Sequence, residues 1–300
     1  GKPAAKSITF REVPEVAARV SGLVSGEYQM TVEVPPDQWE VLERYKDITM
    51  KSVVLDNSHV LAFNQADPVL ANKKLRHAMS LAIDRKTLID SLWKGKTYTP
   101  KGHQLKSFGP MYNAGRTGYV YDQAKAKQLV KESGYKGEEI VILHPTDQPI
   151  MNAATLVTAQ LLRKAGLNVK LEAMDWSTMG SRRAIKKPPA EGGWNILHTY
   201  WNGPGISNPL TNKPIHSTCD KAWPGWPCDE AHQKLIDSYP FAQTVKEKRA
   251  LAQKIQESAM DLVPYVPFGQ WVAPAAFLNT LKGVLTVPGG VVFWNIEKPS

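Results

Sequence analysis

The stretch that decides the fold is Asn195-Ile196-Leu197-His198-Thr199-Tyr200-Trp201-Asn202-Gly203-Pro204-Gly205. Its first half carries apolar and β-prone residues without a charge as far as Trp201, which predicts a buried strand. The four residues from Asn202 onward cannot continue a strand, because glycine allows unusual backbone angles and proline lacks a backbone donor. The chain therefore turns away directly after Tyr200 and Trp201.

This turn is the first place where a binding site is expected. In open α/β sheets ligands bind outside the carboxyl ends of the strands, and here two large aromatic rings arrive at such an end. Asn202 adds an amide that both donates and accepts hydrogen bonds, which suits amides, sugars or zwitterions. The alternative is that Tyr200 and Trp201 only cap the hydrophobic core, since aromatic side chains bury large areas in any case.

The residues before this stretch repeat one pattern. Strands are predicted at 139–144 and 169–174, with a helix between them and a short helix before the strand that ends at Trp201. Strand–helix–strand–helix–strand is the pattern of a parallel sheet with crossover helices. The spacing in the first of these helices predicts an inward face of Ile150, Ala153, Ala154, Val157, Leu161 and Ala165.

Strands and helices also alternate elsewhere in the chain. Asp84 and Asp122 are predicted helix N-caps. Residues 96–119 are rich in Gly, Pro and Lys and predict a loop, and 263–271 predict an extended segment. Further strands are predicted at 7–11, 28–32, 48–55 and 60–64, and further helices at 16–24, 39–42, 75–83, 85–93, 124–132, 229–238 and 244–262.

Composition narrows the function classes. The chain has 300 residues, of which 42% are hydrophobic and 22% charged, as in a globular protein. The net charge of +9 is spread over scattered residues, and without a nucleic-acid-binding motif it predicts a solvated basic surface and no nucleic-acid partner.

No apolar run approaches the roughly 20 residues of a membrane span. The first residues lack the apolar region of a signal peptide, so none is expected in this chain.

The two cysteines, Cys219 and Cys228, flank a spacer rich in Pro and Gly. A local disulfide is favoured over zinc, which usually takes four ligands, although His216 keeps a metal alternative open. A disulfide implies an oxidising compartment.

Catalytic motifs are missing from the sequence. It contains no G-x-S-x-G, H-E-x-x-H, P-loop or G-x-G-x-x-G pattern, and the seven histidines have no metal-ligand spacing. His198 lies on the predicted central strand and is a candidate ligand contact, with a core histidine as the alternative. We expect a protein that is not an enzyme and has no metal site and no cofactor.

Several motifs follow one another through nearly the whole chain: Ile8-Thr9-Phe10-Arg11-Glu12-Val13-Pro14 with Ala17-Ala18-Arg19 and Ser25-Gly26-Glu27; Leu61-Ala62-Phe63-Asn64; Arg76-His77-Ala78-Met79-Ser80-Leu81-Ala82-Ile83-Asp84-Arg85; Tyr121-Asp122-Gln123-Ala124-Lys125-Ala126-Lys127-Gln128-Leu129; Asp175-Trp176 followed by Arg182-Arg183; and Pro264-Tyr265-Val266-Pro267. In this order they resemble the C-terminal portion of the extracytoplasmic solute-binding proteins of the peptide/nickel class (family 5) of ABC transporters. In peptide-binding members of that family the strand that ends in a tryptophan is followed by an acidic residue that pairs with the α-amino group of the peptide, whereas Pro204-Gly205-Ile206-Ser207-Asn208 offers no carboxylate here.

This resemblance implies a fold, a domain organisation, a cellular location and two partners. The fold would be a two-lobed α/β periplasmic-binding-protein-like fold (type II, large cluster) that closes by hinge bending on a solute in an interlobe cleft. Residues 1–64 would be part of lobe I, 65–266 a complete lobe II, and 267–300 the return to lobe I. The N-terminal part of lobe I would be missing from this chain and would be one partner. The protein would act in the periplasm, with an ABC permease of the inner membrane as its other partner.

The resemblance also implies site residues and a solute class. The solute would be a peptide or peptide-like small molecule; the alternatives are an opine-like conjugate, an oligosaccharide or a metal chelate, or a chemosensory or structural role without transport. The absent acid puts a free amino terminus in doubt. The predicted ligand contacts are Phe63, Asn64, His198, Tyr200, Trp201, Asn202, Gly203, Gln270 and Trp271.

Overall fold

A computed structural model describes residues 3–51, 54–95, 97, 119–206, 208–272, 274–287 and 290–298. Side chains are not described at 54–57, 202–204, 271–272, 286–287 and 290. Most of the predicted loop at 96–119 lies outside these residues.

Strands and helices are interspersed along the chain. In the described part of the chain the strands are β1 Met30–Thr31, β2 Ile48–Lys51, β3 Val54–Phe63, β4 Ile140–Pro145, β5 Val169–Met174, β6 Ile196–Asn202, β7 Tyr265–Val272, β8 Ala275–Leu278, β9 Leu285–Val287 and β10 Gly290–Val292. The helices are α1 Val16–Val24, α2 Trp39–Leu42, α3 Pro68–Ala71, α4 Lys73–Ala82, α5 Arg85–Trp93, α6 Gln123–Glu132, α7 Pro149–Lys164, α8 Trp176–Arg182, α9 Gly203–Ile206, α10 Glu230–Ser238 and α11 Val245–Leu262.

The chain forms two compact units. Unit 1 comprises residues 1–56 and 271–300, and unit 2 comprises residues 57–270. In unit 1, β8 lies between β1 and β2 and is antiparallel to both, while β9 and β10 form a hairpin. Phe277, Val284 and Ile296 form a small core beside these strands.

Unit 2 is built on a five-stranded sheet in the order β5-β4-β6-β3-β7. Strand β4 is parallel to both β5 and β6, as the strand–helix–strand pattern predicts. Strand β3 is antiparallel to β6, with Phe63 opposite Ile196 and Ser58 opposite Trp201. The side chains of β4 are buried along its whole length, which explains its largely apolar sequence, because a strand covered on both faces needs no polar alternation.

One predicted strand is wrong. Residues 7–11 alternate but form no strand, and Ile8 and Phe10 are exposed. Alternation favours a strand only where a neighbouring strand can accept its backbone hydrogen bonds, and the described residues provide none here. Phe10 instead meets the edge of Phe293, with ring centroids 5.3 Å apart.

The predicted inward face of α7 is right only in part. Of its six residues, Ala154 and Ala165 are buried and the other four are partly buried. The buried residues within the helix are Met151, Ala154, Thr155, Thr158, Ala159 and Leu162. The sequence misleads because two threonines belong to the buried face. The hydroxyl of Thr155 donates to the carbonyl of Met151 at 2.7 Å, so its polar atom needs no water.

The helix starts were predicted correctly at two aspartates. The carboxylate of Asp84 accepts from the backbone N–H of Thr87, and that of Asp122 accepts from the N–H of Lys125. Both bonds satisfy donors that the first helical turn leaves free.

In the described part of the chain, no helix combines the length and the apolar character that a bilayer crossing requires.

Two buried arginines tie the helices to the segment that leads into β7. The Arg76 guanidinium donates to the carbonyls of Leu70, Ala71, Leu262 and Val263, at 2.6 to 3.2 Å. Arg85 donates from Nε to the carbonyl of Pro267 at 2.9 Å. Burial lowers the pKa of each to about 10. These arginines belong to the motif 76–85, whose role here is structural.

Candidate functional site

The carboxyl ends of β4, β5 and β6 lie at one edge of the sheet, because the three strands are parallel. Helix α8 begins directly after β5, and the single-turn helix α9 directly after β6. The loops that follow β4 and β5 are joined, since the N–H of Thr146 donates to the carbonyl of Met174 at 2.9 Å. This carboxyl edge is where an open α/β sheet binds ligands.

Two stacked rings lie at the carboxyl edge, and we call Trp176 and Tyr200 the aromatic shelf. Their ring centroids are 5.9 Å apart and their planes differ by 7°. Trp176 starts α8, while Tyr200 lies near the end of β6 and is 47% exposed. A flat, partly exposed aromatic surface of this kind can pack against the apolar or cationic parts of a small molecule.

Trp201 has a different environment from its neighbour. Successive strand residues point to opposite faces of the sheet, so Trp201 faces away from Tyr200. Trp201 packs against the buried cluster that contains Val60, Ile236 and Tyr265, and its ring lies edge-on to Trp223, with centroids 5.3 Å apart. Its indole Nε1 is buried and has no hydrogen-bond partner among the described residues. Trp201 is therefore anchored in the core as well as placed at the carboxyl edge.

His198 is fully buried and belongs to a histidine pair. Nε2 of His59 lies 3.0 Å from Nδ1 of His198. The ring of Phe268 packs on both, with centroids 5.1 Å from each, and the ring of Trp93 meets His59 edge-on. Burial lowers the pKa of His59 to about 3 and that of His198 well below its usual value. Of the two neutral rings, one donates an N–H hydrogen bond and the other accepts it.

Three further predicted contacts are buried. Phe63 is fully covered, and Gln270 is 2% exposed. Asn64 donates from Nδ2 to the carbonyl of Trp194 at 2.8 Å and accepts from the N–H of Ala66 at 3.1 Å. Asn64 thus has a structural role inside unit 2, and its contact with a ligand stays a prediction.

The remaining predicted contacts are only partly described. Asn202 ends β6, Gly203 starts α9, and Trp271 lies in β7. Their side-chain environments fall outside what the structure describes, so their predicted roles stay predictions.

Sequence reasoning missed two residues at this edge, Trp176 and Asp147. Trp176 was noticed only as part of a motif, although its position directly after a predicted strand is the signal that marks the carboxyl edge. Asp147 follows β4 by two residues, and its carboxylate accepts the backbone N–H of Trp176 at 2.9 Å. Asp175 lies beside it, but both of its oxygens accept from Thr178, which lowers its pKa.

The predicted disulfide between Cys219 and Cys228 is confirmed. Its loop approaches the sheet at Gly225, whose carbonyl accepts the N–H of Gln65 at 2.8 Å. A Cβ atom at Gly225 would lie 2.8 Å from the carbonyl oxygen of Phe63, so a side chain would not fit.

The disulfide also decides against the alternative metal site with His216, because both sulfurs are bonded to each other. Across the described residues, no group of three or more His, Cys, Asp or Glu side chains could hold a metal ion.

A cavity of about 370 Å³ lies elsewhere in unit 2. It is lined by residues that include Lys73, Arg76, Ser217, Cys228 and Asp229. The Arg76 guanidinium already donates to backbone carbonyls, and one oxygen of Asp229 accepts the backbone N–H of His232.

Comparison with known proteins gives a consistent result. The family described as "Bacterial extracellular solute-binding proteins, family 5 Middle" matches residues 1–220. A probable peptide ABC transporter periplasmic-binding protein of Sinorhizobium fredii is 31% identical over 288 residues, which cover 93% of this chain and 53% of that protein. The glutathione-binding protein GsiB of Escherichia coli is 26% identical and covers 96% of this chain and 57% of that protein.

A solved structure shares the fold. The periplasmic binding protein DppA of Helicobacter pylori, in complex with the peptide STSA, superposes with a TM-score of 0.82 at 22% identity, over 95% of this chain and 56% of that one. The predicted α/β fold of periplasmic binding proteins is thereby confirmed. The chain spans about half the length of the curated relatives that it matches.

Proposed function

We propose a function on the premise that this chain belongs to family 5 of the bacterial extracellular solute-binding proteins, a family of binding proteins and not of enzymes. The chain is a solute receptor of an ABC importer. It binds a peptide or peptide-like small solute at the carboxyl edge of unit 2 and delivers it to the permease.

The observation that carries this proposal is the aromatic shelf. Tyr200 is exposed, yet Trp176 holds its ring in a fixed plane. A rigid aromatic surface costs little conformational entropy when a ligand binds, because the side chains are already ordered. Most small-molecule sites combine such apolar walls with a few fixed polar groups.

The names of two relatives make peptides the first solute class to test. One relative is named as a peptide transporter component, and another as a glutathione-binding protein. The periplasmic location and the permease partner are proposed from the same names. A disulfide in unit 2 agrees with an oxidising compartment. The assignment of residues 65–266 to a ligand-binding lobe II, and of 1–64 and 267–300 to lobe I, is part of this proposal.

Native mass spectrometry of the purified protein tests the proposal. We expect a bound small molecule that is released on activation and has a peptide mass. The same preparation of Tyr200→Ala should carry less of it, whereas Phe241→Ala, which removes an exposed ring elsewhere, should carry as much as the parent.

Each other outcome has a definite meaning. If the released molecule is not a peptide, the receptor function stands. The solute class then becomes an opine-like conjugate, an oligosaccharide or a metal chelate. An empty protein that neither a peptide library nor a sugar library stabilises would overturn the receptor function, since a ligand that binds only the folded state must raise its stability.

A further inference from the structure

The cavity of unit 2 lies at the opposite edge of the sheet from the aromatic shelf. Gln65, which lines the cavity, follows the end of β3 by two residues. Strand β3 is antiparallel to β6, with Phe63 opposite Ile196, so the end of β3 lies at the start of β6. The seven residues of β6 separate the two edges of the sheet by about 20 Å. The cavity is therefore separate from the carboxyl edge.

The residues that line the cavity come mainly from two segments of unit 2. Lys73 and Arg76 belong to α4, whereas Ser217 and Asp229 lie on either side of the disulfide-closed loop. The volume of about 370 Å³ is within the range of small-molecule sites. Apolar surface is added by Ala71, Pro227 and Leu262.

Arg76 brings a buried positive charge to the cavity. Burial lowers its pKa to about 10, which keeps it charged at pH 7. Its five N–H groups reach four carbonyls: Nε donates to Leu262 and Val263, Nη1 to Leu70 and Ala71, and one N–H of Nη2 to Leu262. The second N–H of Nη2 is not used in these bonds. Carbonyl groups carry dipoles but no net charge, so the positive charge is not neutralised.

Asp229 brings a negative charge to the same cavity. It caps α10, and one of its carboxylate oxygens accepts the backbone N–H of His232 at 2.8 Å. Within the described ranges, neither Arg76 nor Asp229 belongs to an ion pair, whereas Lys73 pairs with Asp261 at 2.8 Å. Charges that are removed from water are costly unless a partner of opposite sign is close. The cavity thus offers one unneutralised charge of each sign.

We infer that this cavity binds a small zwitterion, an apolar α-amino acid, with its carboxylate at Arg76 and its ammonium group at Asp229. Such a ligand supplies a charged hydrogen-bond partner to both groups at once, whereas a simple anion or cation would leave one of them without a partner. The Ser217 hydroxyl can donate or accept at either end of the ligand. The apolar lining residues accommodate its side chain. This site is additional to the solute site proposed at the carboxyl edge.

Titration calorimetry of the full chain with L-alanine and L-leucine tests the inference. N-acetyl-leucine and leucinamide are the matched analogues, because each carries only one of the two charges. We expect leucine to bind at millimolar or lower concentration, and each analogue to bind at least about tenfold more weakly, as for the loss of a charge pair at a binding interface.

Variants locate the site. Asp229→Asn should weaken leucine binding by a similar factor, because asparagine keeps the cap of α10 but removes the charge. Asp122→Asn is the matched control, since it removes the same charge from the cap of α6, outside the cavity. Tyr200→Ala, at the carboxyl edge, should bind leucine as the parent does. Thermal unfolding without ligand shows that each variant is folded before binding is compared.

Three results overturn the inference while the receptor function stands. In the first, the parent binds neither amino acid at millimolar concentration. In the second, N-acetyl-leucine or leucinamide binds as tightly as leucine. In the third, Asp229→Asn binds leucine as the parent does; if Tyr200→Ala then loses leucine, the amino acid occupies the carboxyl edge.

Discussion

Nε2 of His59 on β3 lies 3.0 Å from Nδ1 of His198 on the adjacent strand β6, and both residues are fully buried. The pair is neutral at pH 7, because burial lowers the pKa of each ring. His144 on β4 is a third histidine close enough to disfavour a charge on His198. Protonation of these rings at low pH should therefore lower the stability of unit 2.

The first prediction concerns pH. An unfolded histidine titrates near pH 6.5, whereas folded His59 titrates near 3. The unfolded state therefore takes up a proton first, and the stability from the neutral ring is full above pH 6.5 and is lost as the pH falls toward 3. Protonation linked to His59 should cost about 1.4 kcal/mol of unfolding free energy per pH unit in this window.

Urea unfolding at pH 7.5, 6.0 and 5.0 measures this dependence. His59→Gln should reduce the dependence of the unfolding free energy on pH by about the contribution of one histidine. The control is His77→Gln, at a partly exposed position of α4, which should keep the slope of the parent. Identical slopes for the parent and for His59→Gln would contradict the account of the pair.

The second prediction separates Tyr200 from Trp201. Tyr200→Ala should weaken solute binding at least about tenfold with little change in stability, because the residue is 47% exposed. Trp201→Ala should also weaken binding, but it should lower the unfolding free energy by about 2 kcal/mol, since its ring packs on a core cluster and on Trp223. Denaturant unfolding and calorimetry on the same samples distinguish the two. Equal stability losses in both variants would show that the shelf is itself part of the core.

The third prediction concerns the disulfide. Cys219 and Cys228 are nine positions apart, and a closed loop of this length stabilises a protein by about 2.5 kcal/mol through the unfolded state. Reduction, or replacement of both cysteines by serine, should lower the unfolding free energy by that amount. Solute affinity should also fall, because Trp223 of the closed loop packs edge-on against Trp201 and Trp226 belongs to the cluster against which Trp176 packs. A loss of binding without a loss of stability would place the loop in the site.

The fourth prediction concerns Arg76. Its guanidinium serves carbonyls on α3 and at the end of α11 from a buried position. Arg76→Met leaves these carbonyls without a donor and should cost about 3 kcal/mol or more. Arg76→Lys should restore little, because an ammonium group cannot reproduce the planar fork. Full stability of the lysine variant would show that charge alone suffices.

The parallel part of the sheet could be predicted from the sequence, and the site only in part. The apolar strands β4 and β6 and the caps at Asp84 and Asp122 follow from local rules, because each depends on neighbouring residues. The aromatic shelf depends on the stacking of Trp176 on Tyr200, 24 positions later in the chain, which no periodicity encodes. The same limit applies to the carboxylate of Asp147 and to the pairing of His59 with His198.

Hydrogen–deuterium exchange of the full chain, with and without a peptide library, tests the central claim most directly. The account predicts that the solute slows exchange at the carboxyl edge, in residues 146–148, 175–178 and 199–202. Protection at 71–76 and 227–229, which include residues that line the separate cavity, with no change at the carboxyl edge would contradict it.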